Sequence, residues 1–591
     1  MHRNMSNNTF KTEWDLSVFY KDENDSNIEK DIKKAEKACA DFEKKYKDKD
    51  FTSSAKKLLQ ALKDHDDLSI SISAAKAGRY FWYRKDLNSE DNVANAMMTK
   101  IDNRLTKAIN KLVFYDIALS KIPLKKQKIF LKDKSLKPYS YMLKKVFESS
   151  KHILSEKEEQ LVSLLSQTSF SMWVDGQEKL LAGQTVEHGG ENIPLPKAMS
   201  ILSDLPRDDR RVLAKKINEV LKSVSHFAEA EINAVYNFKK VMDDRRGFKE
   251  PYDATFLSYE NDPKTVKLLV DVVTKGFSVS KRFYKLHAKI LKEQKLSYED
   301  RGVKIGEIKK KFDFETAVSL VGNVFERVGP RYKNIFDNIL NNGQVDVYPK
   351  KGKTGGAYCS GGYDVPTFVL LNQTDDLRSL ETLAHEMGHA VHTELSKSQP
   401  IIYQDYSTST AEVASTFFEQ VVISEIEDQF TDEEKVILLH NKIMGDVSTI
   451  FRQIACFNFE LELHKRIRAE GQLSKEEMAK LLRKHMEAYL GEAFELTDDD
   501  GYFFVTWSHI RRFFYVYSYA YGQIISRALF ENWKKDKTYA GKIEQFLSLG
   551  GSMSPEDIFK KVGINVKDPK FFESGLRSIE KDIERLEKLT K

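Results

Sequence analysis

The chain has 591 residues, 41% hydrophobic and 31% charged, which excludes a disordered segment, since disorder needs fewer apolar side chains and a more lopsided charge. Its 94 basic and 89 acidic residues leave a formal net charge of +5, near balance for a surface this large, so no nucleic-acid or anionic-membrane partner is expected. Three scattered cysteines, Cys39, Cys359 and Cys456, offer neither a disulfide framework nor a thiolate metal cluster and fit a reducing compartment. The opening residues carry no apolar run of the secretory kind, and no stretch approaches the roughly 20 apolar residues that span a bilayer. A cytoplasmic location is expected.

Helices are expected over 26–47, 156–169, 208–240 and 264–295. There apolar residues recur at i, i+3, i+4 and i+7 among strong helix formers. The Lys-rich runs 44–49 and 309–311 read as solvated faces. The stretch 183–206, with Gly189, Gly190, Pro194, Pro196 and Pro206, reads as a hairpin or loop. It marks off an N-terminal helical region, 1–195, from the remainder, 196–591. A second interruption covers 343–376. Residues 345–348 and 367–371 read as short strands around a glycine-rich turn, a small antiparallel element.

Immediately after this element comes His385-Glu-Met-Gly-His389, in a stretch whose buried stripe is Leu383, Met387 and Val391. On a helix the two histidines share a face, about 6 Å apart along the axis. Two imidazoles at that spacing can hold one zinc ion with Zn–N bonds of about 2.0–2.1 Å. Glu386 lies next round the helix, able to reach a water on the metal without being a ligand. Gly388 costs about 1 kcal/mol relative to alanine inside a helix, which is easier to explain if something packs closely there. A catalytic zinc needs a third protein ligand. The residues after His389 do not continue as the Gly-x-x-His of metzincins. His392 lies about 10 Å along the helix from His385, far for one metal, and reads as structural or as a support behind the ligands. The predicted helix 410–422 carries Glu412, Ser415, Thr416 and Glu419 on one side of an otherwise apolar run. A carboxylate there is costly unless paired or metal-bound, so Glu412 is the expected third ligand. Glu419 reads either as acceptor for the second N–H of a ligand histidine or as a surface carboxylate. Glu381, one turn before His385, is a further candidate for that supporting role.

The segment HEMGHAVH followed by AEVASTFFE resembles the oligoendopeptidase F and thimet oligopeptidase family of zinc peptidases, and oligoendopeptidase F most closely. Trp14-Asp-Leu-Ser, Gly356-Ala-Tyr-Cys359, Trp507-Ser-His-Ile, the tyrosine-rich run 515–522 and Gly550-Gly-Ser-Met-Ser-Pro resemble further family segments, so the likeness spans nearly the whole chain. The resemblance implies a mainly α fold: a multi-helix prolate ellipsoid with a deep central channel and a small antiparallel β element beside the HExxH helix. Region 1–195 would wall the channel and 196–591 would be the catalytic domain. It implies one Zn2+ per chain and, as substrates, short unstructured peptides cut internally by a metal-activated water. By periodicity the alternating Tyr515, Tyr517, Tyr519 and Tyr521 suggest a strand; the resemblance implies a helix with Tyr515 and Tyr519 on one face. It further implies that His509, Tyr515 and Tyr519 hydrogen-bond the substrate carbonyl, while Glu386 is the general base. The strand 355–360, with Gly355, Gly356, Ala357 and Tyr358, would pair with the peptide backbone. An exopeptidase using Arg511 or Arg512 to hold the substrate carboxylate, and a catalytically idle peptide-binding protein, are the alternatives. Oligomeric state is not legible.

Overall fold

The apolar periodicity becomes helix along most of the chain in the computed structural model, which describes residues 10–73 and 76–591. Helix Ser26–Tyr46 starts where the Asp25 carboxylate accepts the Asn27 N–H, and it buries Ile28, Ile32, Ala35, Cys39, Phe42 and Tyr46 along one stripe. The lysines at its end stay exposed. Helix Glu156–Ser166 opens on a Ser155–Glu158 capping box and passes through a π-turn, Gln167–Ser171, into Met172–Ala182, so it outruns the expected end.

The two longest expected helices are each broken. Residues 208–240 form Arg207–Ser223 and Ser225–Arg246, parted at Val224. Residues 264–295 form Pro263–Lys275 and Phe277–Ile290, parted at Gly276. A Cβ at Gly276 would stand 2.4 Å from Leu576 Cδ1, so the helix Pro569–Leu589 closes on the backbone at that break. A one-residue break leaves the apolar pattern running on either side, which is why periodicity passes over it.

Of the two readings for 183–206, the hairpin is the one found. Strands β1 (Thr185–His188) and β2 (Glu191–Pro194) pair antiparallel about Gly189 (φ +63°) and Gly190 (φ +86°). Two consecutive left-handed residues are what a tight hairpin turn with the strands' own twist requires. The second β element is a three-stranded mixed sheet in the order β3 (Val345–Asp346), β5 (Val365–Leu370), β4 (Tyr358–Gly362). This corrects the expected antiparallel pair. Strands β3 and β5 run parallel, and the antiparallel partner of β5 is β4, from within the glycine-rich stretch. The predicted strand 355–360 begins only at Tyr358 and leaves Gly355, Gly356 and Ala357 in the bend before it.

The chain folds into two compact units, each assembled from separated segments. The first takes Met1–Lys151, Lys309–Ile426 and Leu529–Val562. Its sheet is pinned by the chain's beginning: Trp14 Nε1 donates to the Val369 carbonyl at 2.8 Å, and Asp346, wholly buried, pairs with Lys353 at 2.7 Å. Trp14, Tyr83 and Phe368 form an aromatic core beneath it. Helices Leu377–Ser396 and Thr408–Ile426 belong to this unit.

The second unit takes His152–Ile308, Glu427–Ala528 and Gly563–Lys591. Here Arg511 is buried against Glu231 through two bonds of 2.9 and 2.7 Å and also donates to the carbonyls of Phe504 and Trp507. That arginine is consumed in holding the irregular run after helix Lys475–Leu490. The run's first turn, Asp499–Val505, lies on that helix with Gly501 against the Ala479 backbone, where a Cβ would come within 2.3 Å of the Ala479 carbonyl oxygen. Backbone on both sides leaves nothing to yield. Gly501→Ala should therefore lower the stability of this unit by about 1–3 kcal/mol, read as a lowered denaturant midpoint; an unchanged midpoint would contradict the packing.

Candidate metal centre and active site

Helix Leu377–Ser396 is started by Asp376, whose carboxylate accepts the Ser379 N–H at 2.8 Å. Its apolar side, Leu380, Leu383, Met387 and Val391, is fully buried, which turns His385 and His389 toward helix Thr408–Ile426. The two helices meet at Gly388. A Cβ there would stand 2.7 Å from Ser415 Cα and 3.0 Å from the Ala414 carbonyl oxygen. The glycine inside the HEMGH motif thus admits the partner backbone one residue away from a histidine.

This approach brings Glu412 to both imidazoles. Its Oε2 lies 3.4 Å from His385 Nε2 and 3.5 Å from His389 Nε2. Among the described residues these three are the one group of His, Cys, Asp and Glu donors, all within 4.8 Å of one another, able to hold an ion. Two donors about 2.0–2.1 Å from a tetrahedral zinc stand about 3.3 Å apart, so the spacing and the two-imidazole, one-carboxylate chemistry fit such an ion. Ser415 Oγ donates to Glu412 Oε2 at 3.1 Å and orients the carboxylate. On the far side of His385, Nδ1 meets Glu419 Oε2 at 3.2 Å, the outer bond that fixes which ring nitrogen faces a metal.

Electrostatics follow from this crowding. Burial works against a charge on His385, but Glu412 and Glu419 outweigh it and push the imidazole up to about 10. Burial also opposes the charge on Glu412, yet the two histidines hold its carboxyl well below the usual range. Glu386, only 7% exposed, is pushed up by burial against the pull of His389 and His385. Glu381 makes no hydrogen bond to either histidine among the described residues; burial, then the charge of Glu419, pushes it up to about 8. His392 stays outside the donor group. It stacks on Tyr406 at 3.6 Å, and burial pushes it down to about 3.

The edge strand β4 packs on the motif helix, where a Cβ at Gly361 would come within 2.6 Å of Thr393 Cγ2. Tyr358 points its phenol to Asp86 at 2.6 Å. A Cβ at Gly355 or at Gly356 (φ +77°) would meet nothing within 4 Å.

In the second unit, His509, Tyr515 and Tyr519 come together. Tyr519 donates to the Tyr515 oxygen at 3.4 Å, and the Tyr515 hydroxyl is hydrogen-bonded to His509 Nδ1. Burial, then the nearby Arg452 and Arg512, pushes His509 down to about 4, so its ring is neutral. The expected helix begins only at Tyr517. Tyr515 stands in the turn before it, and the strand pattern fails because Tyr517 and Tyr521 are fully buried core residues of that helix. That turn is strained: Phe513 (φ +49°) and Phe514 (φ +61°) are consecutive left-handed residues, which costs about 1–3 kcal/mol each. The wholly buried Glu460 holds them, accepting the Phe514 N–H with both oxygens at 3.0 Å. Sequence reading missed Glu460 and the Ser415 bond. The Glu-x-x-Ser spacing could have revealed the second; nothing local signals the first.

Comparison with known proteins gives the family. The model of peptidase family M3 matches residues 233–578, and that of oligopeptidase F matches 119–183. The chain belongs to peptidase family M3. It is 26% identical over 611 residues to an oligoendopeptidase F homolog of Borreliella burgdorferi, covering 100% of both chains. It is also 26% identical to oligopeptidase PepF of Bacillus subtilis, over 92% of this chain and 82% of that one. A solved structure from Chlamydophila abortus shares the fold with a TM-score of 0.87 at 21% identity over 98% of each chain. Oligoendopeptidase-F from Enterococcus faecium does so with a TM-score of 0.68 at 18% identity, over 95% of this chain and 97% of that one. As a member of family M3 this chain is a metallopeptidase acting on oligopeptides. No helix among the described residues is long and apolar enough to cross a membrane.

Two expected outcomes follow. Gly388→Ala should force the two helices apart and weaken zinc binding at least tenfold, read by competition with a chromophoric chelator; unchanged affinity would show that the close approach is dispensable. Glu460→Ala should release the Phe513–Phe514 turn and lower kcat at least tenfold with KM within twofold. Glu460→Gln, which keeps an acceptor oxygen, should retain most activity.

Proposed function

We propose that the chain is a zinc endopeptidase that cuts short unstructured peptides internally. The observation that carries this reading is the single Glu412 oxygen placed 3.4 and 3.5 Å from two histidines that flank Glu386 on one helix. His385, His389 and Glu412 would hold the ion, and their nitrogen and oxygen donors favour zinc. Bound there, the ion would act as a Lewis acid and lower the pKa of water. Glu386 takes a proton from the attacking water and gives it to the leaving amine. Burial suits it to both halves, since a raised carboxyl pKa brings the acid and base forms nearer in energy. Glu419 fixes the His385 ring, and Glu381, beside it, plays a lesser supporting part. Tyr515 donates its O–H to the developing oxyanion, while the neutral His509 donates its Nδ1–H to the Tyr515 oxygen and Tyr519 stands behind them. The peptide backbone adds to the sheet edge from Tyr358 and passes Gly355, Gly356 and Ala357 in the bend before it, where the open space at the two glycines supports its approach.

The exopeptidase alternative loses one of its two cations, because Arg511 is bonded to Glu231 on both arms. The test is an internally quenched nonapeptide blocked at both ends. Cleavage at an internal bond that a chelator stops and zinc restores is expected; an uncut peptide with zinc-loaded protein would refute the endopeptidase reading. Glu386→Gln should keep zinc and lose at least 1,000-fold in kcat. Glu412→Ala should lose the metal, and full zinc content in that variant would overturn its assignment as a ligand.

A further inference from the structure

The Nε of Arg452 is buried, and among the described residues no carboxylate pairs with this guanidinium. Arg452 ends the π-turn Val447–Arg452 that leads into helix Gln453–Glu470, and it is partly open to solvent. Its Nε has no hydrogen-bond partner among the described residues. The contrast within the same unit is sharp. Arg210 holds Asp300, Arg468 holds Asp243, Arg511 holds Glu231 and Arg527 holds Asp446.

The surroundings of Arg452 supply donors and no anion. The ionisable groups that face it are the phenols of Tyr298, Tyr489 and Tyr284 and the thiol of Cys456. The hydroxyls of Tyr298 and Tyr489 are themselves buried without partners. A second guanidinium, Arg301, shares the ring of Phe503. The Arg301 and Arg452 carbons lie 5.5 and 5.6 Å from its centroid, and Arg452 also lies 5.0 Å from the ring of Trp507. Arg301 stacks on Tyr298 at 3.9 Å and donates to that residue's carbonyl at 2.7 Å. It too has no ion pair among the described residues.

Aromatic faces offset only part of the cost of desolvating two like charges, and unpaired buried donors add to that cost. Such an arrangement is relieved by an anion. Two planar guanidiniums and two phenolic O–H groups complement the two oxygens of a carboxylate. The site also adjoins the segment that bears His509, since the rings of Trp507 and His509 are 6.3 Å apart.

We propose that Arg452 and Arg301, with the phenols of Tyr298 and Tyr489, form a subsite that binds a free carboxylate of the peptide substrate. This rests on the chain being a peptidase, not on which bond it cuts. The carboxylate has two sources, the peptide's C-terminus or an acidic side chain.

Three kinds of labelled nonapeptide, built on one sequence, separate them. One is amidated and carries no acid, one has a free C-terminus, and one is amidated with a single Gln replaced by Glu at each interior position in turn. Binding to the full chain is read by fluorescence anisotropy with a chelator present, so that it does not depend on turnover. KM of the holoenzyme is read alongside. At least tenfold tighter binding of a carboxylate-bearing peptide is expected, and which peptide gains identifies the source. Arg452→Gln and Arg301→Gln should each erase that advantage and leave the amidated, acid-free peptide within twofold of the unaltered protein. Equal affinity for all the peptides in the unaltered protein overturns the proposal without recourse to a variant. A loss that falls equally on every peptide in a folded variant overturns it as well. If Arg452→Gln does not fold, Arg301→Gln decides.

Discussion

The contact on which the metal group depends is backbone against backbone, at Gly388 and Ser415. Any side chain at residue 388 would push the helices apart, because the atoms it would meet, Ser415 Cα at 2.7 Å and the Ala414 carbonyl oxygen at 3.0 Å, belong to the partner helix's main chain and cannot rotate away. With that spacing closed, a carboxylate on one helix reaches two imidazoles on the other. The Ser415 hydroxyl, at the same contact, orients that carboxylate. A helix-weakening residue between the two histidines is thus what the close approach of the helices requires.

The first unit spends its remaining interactions on holding the motif helix still. The sheet under it is tied to the chain's beginning through Trp14 and Asp346, and Gly361 lets β4 lie directly on the helix. The cost of crowding charge is met locally. His385 shares two carboxylates, and each carboxylate is faced by an imidazole or a hydroxyl. A cation held by His385, His389 and Glu412 would take the place of the proton that His385 otherwise keeps.

The second unit solves a different problem, which is to hold an irregular segment in one conformation. Residues 499–516 form no long helix, so their backbone groups need partners from elsewhere. Arg511 supplies three carbonyls with donors while paired to Glu231, Tyr236 donates to the Ile510 carbonyl, and Glu460 accepts the Phe514 N–H. Strain at Phe513 and Phe514 is tolerated because all of this surrounds it. The result is a fixed triad of His509, Tyr515 and Tyr519, with the imidazole neutral.

By itself the sequence determined the mainly helical character, the interruption at 183–206, the histidine pair with Glu386, and Glu412 as their companion. These rest on local facts: periodicity, glycine pairs, i to i+4 spacing, and the cost of a lone carboxylate on an apolar helix. Tertiary structure alone decided the rest. It broke two long helices at single residues, reversed the direction of a strand pair, began the tyrosine helix two residues late, and spent Arg511 on a buried ion pair. It also left Arg452 and Arg301 without an ion pair among the described residues. The break at Gly276 and the pairing of Arg511 depend on what approaches from hundreds of positions away, and such an approach leaves no trace in local spacing.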